Sequence, residues 1–146
     1  MTRIESSILV SRSVEDTFAF LNDAENHLKF IPNMVEFNKT STGIFGRVGS
    51  TVQGMLRILG IRIKVSYEVI GHQQNQSLAM KGLMGPITFK DGYALNSAGN
   101  DTQINFWLEL TLTGAAKILK PFVSLIGKIH AYETLTKLKR TIEKAN

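Results

Sequence analysis

Apolar and polar residues alternate along this chain in two different periods, and the change of period divides it. Residues 3–10, Arg3-Ile4-Glu5-Ser6-Ser7-Ile8-Leu9-Val10, read as a first strand. Ser13 with Asp16 three residues on is a helix-capping signal, and Val14, Phe18 and Leu21, with Thr17, form the inner side of a short helix ending near Asn22. Asp23 caps a second short helix with Leu28 and Phe30-Ile31 turned inward, and Pro32 stops it. From Met34 to Thr113 the period is two: Val35-x-Phe37, Val52 to Ile58, Ile61 to Val69, Leu78-x-Met80, Ile87 to Leu95 and Ile104 to Leu110, with turn residues between them. Such spacing predicts an antiparallel meander with one wet and one covered face.

A helical period takes over after Gly114-Ala115-Ala116, where the strand pattern breaks. Pro121 fits the first turn of a helix, where its missing N–H is harmless. Ile118, Phe122, Leu125, Ile126, Ile129 and Tyr132 cluster on one side at about 100° per residue, while Leu135, Leu138 and Ile142 sit a quarter-turn or more away. A helix crossing a twisted sheet needs such a drift, and Gly127 permits a bend or close packing. The second half of the helix reads as a clamp onto a core. The first half presents a larger apolar face to something else.

This order of elements resembles the helix-grip fold, the superfamily of START lipid-transfer domains, birch-pollen-allergen-like proteins and bacterial polyketide cyclase/dehydrase-like proteins. The residues that carry the resemblance are Val14-Glu15-Asp16-Thr17-Phe18-Ala19-Phe20-Leu21-Asn22-Asp23, followed by Phe30-Ile31-Pro32, and the tail Leu135-x-x-Leu138-Lys139-x-x-Ile142-Glu143. Ser13 stands where a proline is frequent and Phe30 where a Trp is frequent; neither position touches chemistry. The resemblance implies an α+β fold over residues 1–146 as one domain: a curled antiparallel sheet of about seven strands wrapped around the long C-terminal helix, with two short helices between strands 1 and 2. It implies an apolar ligand but does not choose among the activities of so broad a superfamily.

Alternate turns of a meander lie at the same end. One end collects the polar stretches 40–43, 71–76 and 97–101. The other collects Leu59, Ile61, Leu83, Met84 and Pro86, together with Ile118 and Leu119, beside Lys117 and Lys120. Turns are ordinarily polar, so this end reads as the mouth of an apolar cavity and as a surface for peripheral contact with a membrane. The alternative is that these turns tuck against each other.

With the apolar phases turned to the concave side, the lining consists of Leu56, Ile63, Val65, Tyr67, Phe89, Tyr93, Phe106 and Leu108, roofed by Phe122, Ile126 and Ile129. A cavity so lined suits a hydrophobic ligand; the alternative is a filled core. Asp91 falls in phase with Phe89 and Tyr93. Turned inward, it has a raised pKa and can act as a general acid or base, with Tyr67 and Tyr93 orienting a ligand carbonyl. The preferred reading makes Asp91-Gly92 a bulge that swings the carboxylate to solvent.

The remaining chemistry is sparse. His27, His72 and His130 have no metal-binding spacing; His72 reads as solvated, and His130 as a surface residue beside the inner stripe. Gly43 to Gly49 repeats glycine every third residue without the setting of a phosphate loop and reads as a flexible hairpin connection. Trp107 falls on the outer face, a weak pointer to a partner or a homodimer contact. No cofactor is called for. A content of 43% hydrophobic and 20% charged residues belongs to a globular chain, and the absence of cysteine excludes thiolate chemistry and disulfides. The net charge of +5 favours anionic partners, but no nucleic-acid motif accompanies it, so nucleic acid is not expected. Met1 to Glu5 lacks the apolar core of a signal peptide, and the cytoplasm is the expected compartment. The leading expectation is a binder or carrier of an apolar small molecule, such as a lipid, isoprenoid, quinone or polyketide. The second is a cyclase/dehydratase-type enzyme using Asp91 with Tyr93 or Tyr67, and the third an interaction module.

Overall fold

The computed structural model describes residues 2–42 and 45–144. The first strand, β1 (Thr2–Val10), leads into α1 (Val14–Leu21) and α2 (Ala24–Phe30). Six strands follow: β2 (Met34–Lys39), β3 (Thr51–Ile58), β4 (Ile61–Gln73), β5 (Ser77–Met84), β6 (Ile87–Ala98) and β7 (Asp101–Leu112). A short 3₁₀ segment, Gly114–Leu119, opens the long α3 (Lys120–Lys144), in which Pro121 occupies the first turn as expected. The sheet order is β1-β7-β6-β5-β4-β3-β2, antiparallel throughout, which is the helix-grip architecture. The Gly43-Ile44 pair of the β2–β3 connection lies outside the described residues; beyond it, Phe45 is buried in the core.

Local chemistry accounts for the short helices. The Ser13 hydroxyl accepts the Asp16 N–H at 3.1 Å, and the Asp23 carboxylate accepts the Glu25 N–H at 3.0 Å, so both helix starts satisfy an otherwise orphaned donor. On α2 the inward residue is His27, fully buried, and Leu28 is exposed. The one-residue difference from the expected phase has a cause. Phe30, Phe37, Phe45 and Tyr93 surround the imidazole, which stacks on Phe37 with ring centroids 5.0 Å apart. The Nε2–H donates to the Leu21 carbonyl at 2.7 Å. Burial is the larger influence on this ring and pushes its pKa down to about 4, against the opposing pull of the Leu21 carbonyl and of Asp23.

The last helix packs on β1 and β7. Its inward face is Val123, Gly127, Ala131, Thr134, Leu135, Leu138 and Ile142, small at Gly127 and Ala131 and large at the expected clamp residues Leu135, Leu138 and Ile142. The large apolar residues of its first half lie off this stripe and stay exposed: Phe122 is 67% exposed, Ile126 60% and Ile129 50%. The roof expected from those three side chains is therefore displaced, because the helix approaches the sheet through glycine and alanine. Its C-terminal end is tied to the end of β1. Glu143 accepts the Ser11 N–H at 2.8 Å, and Lys139 donates both to the Leu9 carbonyl at 2.7 Å and to Glu143 at 2.8 Å.

Candidate functional site

Between the sheet and the first half of α3 is a cavity of about 180 Å³. Leu56, Val65, Tyr67, Phe89 and Leu108 line it, as their phase predicts, and Met84 stands at its edge. Ile126 and Ile129 reach it only as rim residues that remain half in solvent. Phe122 and Ile63 are not in the lining. Tyr93 and Phe106 belong to the solid core beneath, where their rings lie 5.1 Å apart. Residues that strand and helix phase did not single out complete the wall: Ile58, Ile87, Leu110 and Val123, with Pro32, Asn33, Gly127, His130 and Glu133. Ile87 and Leu110 extend the same strand phases, so the periodic signal for them was present. His130 and Glu133 follow Gly127 by three and six residues, and only the packed face of α3 brings them in. His130, expected at the surface, is half-buried beside the cavity, and its pKa is lowered chiefly by burial.

Asp91 is buried in this wall. No bulge occurs at Asp91-Gly92: Asp91 pairs with Met80 on one side and Leu108 on the other, and Gly92 pairs with Ala79 and Trp107 in unbroken register. The glycine has another reason to be there. A Cβ at Gly92 would come within 2.7 Å of the Leu78 carbonyl and 2.8 Å of the Trp107 ring, so glycine lets the indole lie across the outer face of β6. Arg3 covers that ring at 5.0 Å and also pairs with Glu109. Trp107 is thus half-buried and engaged, not presented outward.

The carboxylate's Oδ1 has no hydrogen-bond partner among the described residues. Burial pushes the Asp91 pKa up to about 7, well above the ordinary carboxylate range. Tyr67, on the facing part of the wall, is raised well beyond the ordinary phenol range by burial first and by Asp91 second. Tyr93 is raised in the same direction from beneath, again by burial before Asp91. The arrangement is a small, mainly apolar chamber in which the buried Asp91 carboxyl has an unpartnered oxygen and can donate or accept a proton, with His130 and Glu133 also in the wall.

A second, wider depression of about 700 Å³ crosses the outer face of the sheet, lined by Gln53, Ser66, Glu68, Lys81, Thr88 and Lys90 among others. Its carboxylates already have cations close by, Glu68 with Lys81 and Glu109 with Arg3, and the buried Val52, Tyr67 and Phe89 form its floor. His72, expected to be solvated, is half-buried against Phe18 with the Asn22 amide at 3.4 Å, far from either site.

Ile58, Met84, Ile87 and Val123 line the chamber towards the end of the sheet that carries the three apolar turns. Leu59 is 96% exposed, Ile118 82% and Leu83 55%, and Ile61, Pro86 and Leu119 are also exposed. They do not tuck together. Among the described residues no helix is long and apolar enough to cross a membrane.

Similarity to known proteins agrees with this architecture. The aromatase/cyclase Zhui from Streptomyces sp. R1128 superposes with a TM-score of 0.83 at 10% identity, covering 98% of this chain and 94% of its own. A START superfamily protein from Mycobacterium smegmatis gives 0.82 at 12% identity over 97% of each chain. A protein from Thermus thermophilus, TTHA0849, gives 0.81 at 11% identity, also over 97% of each. At such identities these likenesses establish the fold alone. No curated protein sequence matches the chain significantly. The model of the family described as polyketide cyclase / dehydrase and lipid transport matches residues 1–143, nearly the whole chain, and the protein is a member of that family.

Proposed function

We propose that the protein binds a hydrophobic small molecule whose ring-sized apolar part fills the chamber and whose single polar group meets Asp91. Family and fold point to hydrophobic ligand binding or to polyketide cyclase-type chemistry. The observation that carries the binding reading is the unpartnered, buried Oδ1 of Asp91 in a mainly apolar wall, whose other polar members are Asn33, Tyr67, His130 and Glu133. Buried polar atoms are ordinarily paired, and a bare one facing a cavity calls for a ligand atom. Size narrows the class. Apolar cavities near 150 Å³ hold a benzene-sized molecule, so a chamber of about 180 Å³ takes one ring or a short branched chain. Any longer ligand must extend between Met84 and Ile126 into the mouth.

A second reading has its own support. A carboxyl titrating near 7 is matched to general acid–base work at neutral pH. In that reading Asp91 moves a proton at a substrate carbonyl or hydroxyl, with Tyr67 as the neighbouring phenol. Tyr93, placed by its strand phase among the acid–base candidates, lies in the core and serves to support the wall.

The experiment is native mass spectrometry and solvent extraction of the purified protein, repeated for Val65→Phe, which fills the chamber, and for Asp91→Asn. Recovery of an apolar compound from the wild type but not from Val65→Phe supports the binding site. An Asp91→Asn protein that retains the same compound as the wild type supports a carrier, whereas retention with accumulated unreacted substrate supports the enzyme. Equal recovery from wild type and Val65→Phe would place the ligand elsewhere and defeat the proposal.

A further inference from the structure

We infer that the end of the molecule around the chamber mouth is a docking surface for an anionic membrane. The inference concerns the outside of the mouth and holds whatever the chamber contains. The first observation is apolar exposure in one place. The hairpin tip at Leu59 and Ile61, the tip at Leu83, and the 3₁₀ segment with Ile118 and Leu119 are all exposed at one end of the sheet. Phe122, Leu125, Ile129 and Tyr132 continue this surface along the outer side of α3, each at least half exposed. An apolar surface of that continuity marks an interaction site.

The second observation is charge. Residues 57–64, 83–87 and 113–132 contain Arg57, Arg62, Lys64, Lys117, Lys120 and Lys128, and no acidic residue. These are six of the chain's 17 basic residues and none of its 12 acidic ones, so the remainder, with 11 basic and 12 acidic, is nearly neutral. The chain's excess positive charge is therefore carried by these segments, with Glu133, a chamber-lining residue, directly after the last of them. None of the six makes an ion pair among the described residues. Two such surfaces brought together would set cation against cation, which argues against a second copy as the occupant. Apolar tips ringed by unpaired cations match the interface of a bilayer carrying anionic headgroups, where each nearby Lys or Arg adds attraction.

The third observation is strain. The β3–β4 connection is the two-residue turn Leu59-Gly60, with φ of 51° and 81°. A turn with both residues left-handed favours Asn-Gly. A leucine there incurs backbone strain and places its side chain in solvent, a combination that stability alone does not explain.

The test uses the intact protein with vesicles of phosphatidylcholine alone and of equal parts phosphatidylcholine and phosphatidylglycerol. The wild type should sediment with the mixed vesicles, far less with the neutral ones, and come off at about 1 M salt, where the Debye length is ~3 Å. Lys117→Glu with Lys120→Glu should lower partitioning by about tenfold or more. Leu59→Asn is the decisive variant because it relieves the left-handed strain. It should melt no lower than the wild type and yet bind the mixed vesicles about tenfold more weakly. If Leu59 has only a structural role, the melting temperature falls and binding is unchanged, which overturns the inference. Failure of the wild type to bind the mixed vesicles overturns it equally, as does a wild-type dimer in sedimentation velocity that Leu59→Asn dissociates. None of these readouts depends on the compound recovered from the chamber, so the two readings fail separately.

Discussion

Gly127 lies directly against Ile4: a Cβ on the glycine would sit 2.6 Å from the isoleucine Cδ1 and 3.1 Å from the Leu110 Cδ1. The helix therefore approaches β1 and β7 at a point where no side chain fits, and this approach sets the depth of the chamber beside it. Two effects oppose one another in Gly127→Ala. Helix propensity favours alanine by about 1 kcal/mol, and the displaced Ile4 and Leu110 tips cost a similar amount, overpacking being worth ~1–3 kcal/mol. The variant should be within about 1 kcal/mol of wild type. Gly127→Leu has no such offset and should lose about 3 kcal/mol or more in urea unfolding, with the helix lifted from the sheet.

The buried groups His27 and Asp91 act on stability with opposite sign over nearly the same pH range. His27 titrates at about 4 when folded, below its ordinary 6.5, so the unfolded chain takes up the proton first and stability falls as pH drops from about 6.5 to 4. Asp91 titrates at about 7 when folded, above its ordinary 3.8, so the folded chain holds the proton longer and stability falls as pH rises from about 4 to 7. A pKa difference of one between folded and unfolded chain is worth about 1.4 kcal/mol. The effects are then about 3.5 kcal/mol for His27 and about 4.5 kcal/mol for Asp91, and between about 4.5 and 6.5 these two slopes largely offset each other. Asp91→Asn removes one arm. Its urea midpoint should climb with pH across this window, and the absence of any new slope would contradict the placement of Asp91.

Gly82 is a stricter requirement than Gly127 because backbone opposes it. A Cβ there would meet the Ser66 carbonyl oxygen at 2.5 Å and the Phe89 ring at 2.4 Å. Carbonyl and ring cannot both give way. Gly82→Ala should destabilise by about 2 kcal/mol or more and disturb the chamber wall at Phe89. Thermal melting with near-ultraviolet circular dichroism would detect both changes.

The tie between Glu143, Lys139 and the end of β1 predicts a local effect. The Lys139 hydrogen bond first, and the Ser11 N–H second, hold the Glu143 carboxyl below its usual range. That contribution is present at neutral pH and is lost as pH falls through the lowered pKa. Glu143→Gln should leave the global melting temperature close to wild type but speed amide exchange at Ser11 and over the last turn of α3. Unchanged exchange there would mean that the tie does not hold the helix end.

The periodic signal made the sheet legible to the level of side-chain facing. It turned Leu56, Val65, Tyr67, Phe89, Asp91 and Leu108 to the correct side because strand alternation is set locally by the pleat. It failed where one residue type has two local explanations. Gly92 after Asp91 reads by preference as a bulge, whereas the structure uses it as space for a neighbour, and that neighbour, Trp107, comes from another strand. On α2, a seven-residue helix, His27 and Leu28 are one step apart, and an aromatic cage drawn largely from other elements decides between them.

What the chain alone determined is the order and type of its elements and the inner face of most strands, since capping, turn chemistry and alternation are short-range physics. On β2 a register shift between Met34 and Glu36 buries Met34 and leaves Val35, expected inside with Phe37, exposed. The sidedness of α3 needed the assembled molecule. Burying Ile126 and Phe122 looks favourable residue by residue, yet the sheet is approached more closely through Gly127 and Ala131, and that leaves the large side chains outside. The same close approach left a chamber of only about 180 Å³ and stripped the Asp91 carboxyl of water and of partners. Neither a volume nor a solvation environment is a property of any local stretch; both arise where distant elements meet.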